Sequence, residues 1–121
     1  MKELTRAEAQ VMRALWKLNG AFVKDLQSQM KGNKLAYNTI STQIRTLVVK
    51  GYVQFEKHGK SHKYIPIVSK EEYLKFFISN TITNYFDDSA YNLLEFIVKG
   101  KKTDLNELDD MIKLLRWKKK N

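Results

Sequence analysis

The feature that most constrains this chain is a change of hydrophobic period. Three stretches with apolar residues at helical spacing come first, and two short alternating stretches around a central glycine follow. Thr5-Arg6-Ala7-Glu8 reads as a capping box, in which the threonine hydroxyl accepts a backbone N–H and Glu8 reaches back to Thr5. Val11, Met12, Leu15, Trp16 and Leu18 then form a stripe that Asn19-Gly20 ends, which predicts a helix over 6–18. Ala21-Phe22-Val23 opens a second helix over 23–31, with Val23, Leu26 and Met30 on one face and Gly32-Asn33 as its stop. A third helix spans 37–50, with Ile40, Ile44, Leu47 and Val48 inward and Lys50-Gly51 at its end.

The period then drops to two. Residues 52–56 and 62–67 alternate as strands, and Lys57-His58-Gly59-Lys60-Ser61 reads as the turn between them, with Pro66 suited to a sheet edge. Beyond the hairpin, Ser69-Lys70-Glu71-Glu72 is a second capping box that opens a helix over 70–85. Asp87-Asp88-Ser89 breaks and recaps the chain for a helix over 89–99, which Gly100 ends. Thr103-Asp104 caps a last helix over 104–117, and Lys118-Lys119-Lys120 is expected to fray. The expected fold is mainly α, of α+β type. A winged helix-turn-helix domain with a β-hairpin wing covers 1–68, and a three-helix dimerisation arm covers 69–121.

The outward face of the third helix carries Asn38, Thr39, Ser41, Thr42, Gln43, Arg45 and Thr46. It has one arginine and no acid, whereas a merely solvated face mixes glutamate with lysine. Short hydrogen-bonding side chains of this kind fit base edges and phosphates in a major groove. Lys57, His58, Lys60, Ser61 and Lys63 on the hairpin are the matching candidates for phosphate contact, where a plain solubilising tip is the rival reading. The charge distribution agrees. The chain carries a net charge of +9, and residues 1–68 hold 12 Lys+Arg against 4 Asp+Glu, while 69–121 hold 10 against 9. A polyanion is expected to meet the first part and protein the second.

The arm is rich in aromatic and branched side chains. Tyr73, Phe76, Phe77, Ile82, Tyr85, Leu94, Leu108, Ile112 and Leu115 cover more helix surface than so short an arm can bury against itself, so they are expected to form a subunit interface. Two copies on a two-fold axis would read a near-palindromic site. Other classes are disfavoured. The chain has no cysteine, so thiol nucleophiles, disulfides and thiolate metal sites are excluded, and a reducing cytoplasm is the expected location. No signal peptide or membrane span is visible. His58 and His62 lack a carboxylate pair or thiol beside them, so no metal or other cofactor is expected. No nucleophile–base pair, carboxylate dyad or phosphate loop suggests an enzyme. A winged-helix module that binds an acidic protein is the alternative, although protein interfaces favour aromatics where this helix has hydroxyls.

Three stretches carry a family resemblance. These are Leu4 to Trp16, with Glu8 inside and Leu15-Trp16 at the close; Ala36 to Val53, with the third helix and Lys50-Gly51; and Tyr64 to Tyr73. In this order and spacing the chain resembles the BlaI/MecI/CopY family of bacterial penicillinase-type repressors. The resemblance implies a dimer that blocks promoters until a signal releases it. In one branch a sensor-protease pathway cuts the arm at an Asn-Phe bond, and the nearest match here is Glu95-Phe96. In another branch a cysteine cluster binds copper, which a chain without cysteine cannot do. The family often has arginine just before the leucine at position 47, where this chain has Thr46 with Arg45 one residue earlier, so a different operator sequence is expected.

Overall fold

The computed structural model describes residues 1–30, 35–100 and 105–120, without the side chains at 105, 111, 115 and 118–120. Its elements in chain order are α1 (Arg6–Leu18), α2 (Val23–Gln29), α3 (Tyr37–Val49), β1 (Val53–His58), β2 (Ser61–Pro66), α4 (Lys70–Tyr85), α5 (Ala90–Gly100) and α6 (Leu105–Lys120). Three helices followed by an antiparallel hairpin make a winged helix, with further helices after it. The chain divides into two compact units, Met1–Phe77 and Ile78–Asn121.

In the first unit the helical stripes converge. Val11, Met12 and Leu15 of α1, Leu26 of α2 and Ile40, Ile44 and Leu47 of α3 are all fully buried. Each such side chain contributes about 1.5–3 kcal/mol through burial. The hairpin closes this core with Val53 and Tyr64. Its register pairs Val53 with Pro66, Phe55 with Tyr64 and His58 with Ser61. The strands therefore run further than the sequence suggests, and only Gly59 and Lys60 turn the chain. Gly59 has φ +63°, the backbone a two-residue turn with glycine first requires.

A third strand-like pairing joins the wing to the helices. The Ala21 N–H donates to the Tyr64 carbonyl at 2.9 Å, and the Tyr64 N–H returns to the Ala21 carbonyl at 2.8 Å. The sequence reading gave Ala21 and Phe22 to the opening of α2. They are instead extended, and α2 is correspondingly short; Met30 caps it, and the expected Gly32-Asn33 stop lies outside the described residues. The end of α3 is tightly defined. The Tyr52 N–H reaches the Leu47 carbonyl and the Gly51 N–H the Val48 carbonyl, with Gly51 at φ +84°.

One buried carboxylate ties the two ends of this arrangement together. Glu8 is 1% exposed, the sole buried charged residue among those described. Its Oε1 accepts the Thr5 N–H at 2.8 Å and the Lys50 Nζ at 2.7 Å, and the Thr5 hydroxyl accepts the Glu8 N–H at 3.2 Å. The capping box is thus also an ion pair to the C-cap of α3. Burial alone would raise the Glu8 pKa. The Lys50 hydrogen bond and charge, with the Thr5 N–H, outweigh it and hold the group below the ordinary glutamate value. Nearby, the Tyr52 hydroxyl donates to the Lys2 carbonyl and the Tyr73 hydroxyl accepts the Leu4 N–H at 3.0 Å. Burial above all, then the charges of Tyr73, Glu8 and Glu3, pushes the Tyr52 phenol up to about 12.

Tyr73, assigned from sequence to a subunit interface, is placed by the structure in the core of the first unit, 6.0 Å from the Trp16 ring and 5.9 Å from Tyr52. Phe76 packs against the same core, and Phe77 stacks on Tyr73 at 6.1 Å. The second unit is built differently. Asp87 and Asp88 take positive φ, the Asp88 carboxylate accepts the Thr83 hydroxyl at 2.8 Å, and Ser89 caps α5 through the Asn92 N–H at 3.1 Å. Phe86 lies 5.6 Å from Phe96, yet among the described residues none beyond Tyr73 is buried. The Glu95-Phe96 bond lies inside α5, with Glu95 paired to Lys99 at 2.7 Å. α6 continues through Lys120 where fraying was expected; its Thr103-Asp104 cap and the Leu115 side chain lie outside the described residues.

Replacing Glu8 by Gln should lower folding stability by about 1–3 kcal/mol at neutral pH, because the Lys50 ammonium loses its charged acceptor. With a depressed folded pKa, the stabilisation from Glu8 is present above the pKa of the unfolded chain and is lost as pH falls through the folded value. Urea midpoints for wild type and Glu8→Gln should therefore converge on acidification below the ordinary glutamate range. A gap that stays constant with pH would remove the ionised pair from this description.

Candidate nucleic-acid interface

The burial of Ile40, Ile44 and Leu47 decides which face of α3 points out. Asn38, Thr39, Thr42, Arg45 and Thr46 are exposed, and Ser41 is half-buried. Two of these side chains spend their donor on their own helix. The Thr42 hydroxyl donates to the Asn38 carbonyl at 2.9 Å, and the Thr46 hydroxyl to the Thr42 carbonyl at 3.1 Å. What they offer outward is therefore a methyl group and an acceptor oxygen. Arg45 is the cation of this face, with a planar fork that suits a guanine edge or a phosphate.

Part of that face meets the wing. Tyr37, Ser41 and Arg45 of α3 line a cleft with His58, Lys60, Ser61 and His62 of the hairpin and Phe22, Lys24 and Asp25 at the start of α2. The structure thus brings together Ser41, Arg45, His58, Lys60 and Ser61 from the sequence-derived set. His58 is held by an edge-on contact with the Phe22 ring at 5.5 Å and lies 3.4 Å from the Glu56 carboxylate. His62 stacks on Phe55 at 4.4 Å. Asp25 brings an acid to the cleft, but its Oδ2 accepts the Phe22 N–H at 3.0 Å and so caps α2.

Other candidates fall elsewhere. Lys57 is exposed on the strand but does not line the cleft. Lys63 sits on the opposite face of the hairpin from His62 by strand alternation, with its stem beside Gly20, where an added Cβ would meet Lys63 Cε at 3.4 Å. Two cleft residues escaped the sequence reading. Lys24 stands in the first turn of α2 beside Asp25, the end where a cation is unfavourable to the helix. Tyr37 was read only as the start of α3, yet it is 51% exposed and lines the cleft. Among the described residues no three histidine, aspartate or glutamate side chains cluster to hold a metal.

The family model described as Penicillinase repressor matches residues 4–116. The chain is 18% identical over 114 residues to the penicillinase repressor of Bacillus licheniformis, covering 93% of this chain and 89% of that one. It is similar to the solution structure of the DNA-binding domain of the repressor BlaI, with 26% identity, a TM-score of 0.52, and coverage of 60% of this chain and 94% of that domain. It is also similar to hsRosR-S4, with 15% identity, a TM-score of 0.54, and coverage of 82% and 90%, a likeness of fold.

The two faces of the hairpin should separate in a salt titration. Replacing Lys60 by Ala should lower the slope of log affinity for duplex DNA against log salt by about one unit. Replacing Lys63 by Ala should leave that slope where it was. Equal effects of the two changes would contradict the assignment of the cleft side as the contact side.

Proposed function

Because this chain belongs to the penicillinase repressor family of DNA-binding transcriptional regulators, we propose that it represses transcription as a homodimer seated on a near-palindromic operator. The observation that carries the reading is the acid-free outward face of α3, whose Arg45 opens into the same cleft as the wing. α3 enters the major groove, Arg45 and Thr42 meet base edges, and Lys60 and Lys24 take flanking phosphates. No step in this function calls for catalysis or a cofactor. Among the described residues no helix is long and apolar enough to cross a membrane, and the protein acts on DNA in the cytoplasm.

The homodimer rests on the second unit. Tyr85 is 79% exposed, Tyr91 71% and Phe96 65%, with Leu94 and Ile112 also open. So much apolar surface on a small unit supports association with a second copy, which removes it from water. Ile82 and Leu108 of the second unit are assigned to the same surface by this reading, while Phe77 lies in the first unit. Dimerisation then multiplies the discrimination of one half-site by that of the other, with half-site centres about one DNA turn or a multiple of it apart.

Replacing Arg45 by Ala should weaken binding to a selected operator by about 1–3 kcal/mol and leave random duplex nearly unaffected. An equal loss on both would show that Arg45 touches phosphate alone. Replacing Leu94 and Ile112 together by Glu should shift sedimentation from dimer to monomer and weaken operator binding at least about tenfold. A wild-type protein that sediments as a monomer at micromolar concentration would overturn the dimer.

A further inference from the structure

A second cleft lies in the first unit, apart from the one described above. It is walled by the C-terminal half of α1 and by the segment 66–70 that leads from the wing into α4. We propose that this cleft binds a small organic anion with a flat apolar body, received by Arg13, Lys17 and Lys70 around a wall formed by Trp16 and Ile67. The site is distinct from the DNA-reading cleft and stands or falls separately from the operator reading.

Three observations lead there. The first is charge without compensation. Arg13, Lys17 and Lys70 line the cleft with no acid among its lining residues, and none of the three has an ion pair among the described residues. The acids at the start of α4 are engaged elsewhere: Glu71 pairs with Lys75 at 3.3 Å, and the Glu72 carboxylate accepts the Ser69 N–H at 3.2 Å.

The second is that two of the placements run against local preference, although Lys17 taken alone suits the last turn of α1. Arg13 and Lys17 are four residues apart on one helix, so they repel one another across a single turn. Lys70 opens the 16-residue α4, where the helix dipole favours an anion. Glu71 and Glu72 satisfy the start of α4 itself, so the repulsion between Arg13 and Lys17 is what a carboxylate between them relieves, and departures from local rules concentrate where a ligand completes the arrangement.

The third is a fixed apolar wall. The Trp16 indole N–H donates to the Val68 carbonyl at 2.9 Å, which locks the ring to the floor of the segment. Ile67 is 53% exposed beside it. A rigid aromatic wall next to a cationic rim favours a planar body with one anionic end, because little side-chain freedom is lost on binding.

The test follows the Trp16 indole N–H resonance in nitrogen-labelled full-length protein, identified by its absence in Trp16→Phe. Naphthoate is the probe, with naphthylmethanol as the uncharged analogue and inorganic phosphate as the anion without a body. Naphthoate should shift the resonance saturably. Naphthylmethanol and phosphate should each bind at least about tenfold more weakly, and so should naphthoate on the protein carrying Arg13→Gln with Lys17→Gln, or Lys70→Gln alone. These side chains are exposed, so the variants are expected to keep the wild-type urea midpoint. No saturable shift, equal binding of naphthoate and its alcohol, or wild-type affinity in the variants would overturn the site. It would equally be overturned if Arg13→Gln with Lys17→Gln lowered the salt slope of DNA binding by about two units, since the cleft would then hold a phosphate backbone. A protein that shows no operator preference but still shifts Trp16 would leave this site standing.

Discussion

The Glu8 carboxylate receives the N–H that starts α1 and the ammonium that ends α3, on a single buried oxygen. A buried charge is tolerated only when its partners are in place, so α1 and α3 can pack in one register and few others. Little of this is net stabilisation, because desolvating Glu8 opposes what Lys50 returns. Its effect is geometric. With the C-cap of α3 held and Gly51 turning the chain into β1, the wing must start where it does. The rotation of α3 about its own axis is fixed as well, and that rotation decides which side chains a duplex meets.

The two units divide the physical work. The first has a closed core, nearly all the excess positive charge, and a concave face that joins α3 to the wing. The second has capped helices and balanced charge, but no fully buried side chain among those described. A segment of that kind gains most from a partner that covers it, and this is the support for the proposed dimer. In that proposal two half-sites need two bodies, and the open apolar surface would join them. The first turns of α4 belong energetically to the DNA-reading unit, since Tyr73 and Phe76 are packed into its core.

Much of the fold was legible in the residues alone. The capping boxes at Thr5 and Ser69 form with both of their hydrogen bonds, because such boxes depend on residues three apart and on little else. The inward stripe of α3 was equally plain, since Ile40, Ile44 and Leu47 obey one period. What escaped was long-range. Nothing in Ala21 announces that its backbone will pair with Tyr64, forty-odd residues on, and nothing local to Lys50 says that Glu8 will meet it. Tyr73 looked like surface aromatic on an amphipathic helix. Only the convergence of Trp16, Tyr52 and the Leu4 N–H makes it core. Lys63 was grouped with the cleft side, whereas strand alternation places it on the face of the hairpin opposite His62.

In the proposed function the outward face of α3 reads base edges in two adjacent half-sites. Selection of bound duplexes from a randomised pool, repeated under competition with bulk DNA, tests it most directly. One inverted repeat with a fixed spacing between half-sites should be enriched. Recovery of sequences no different from the starting pool would contradict it.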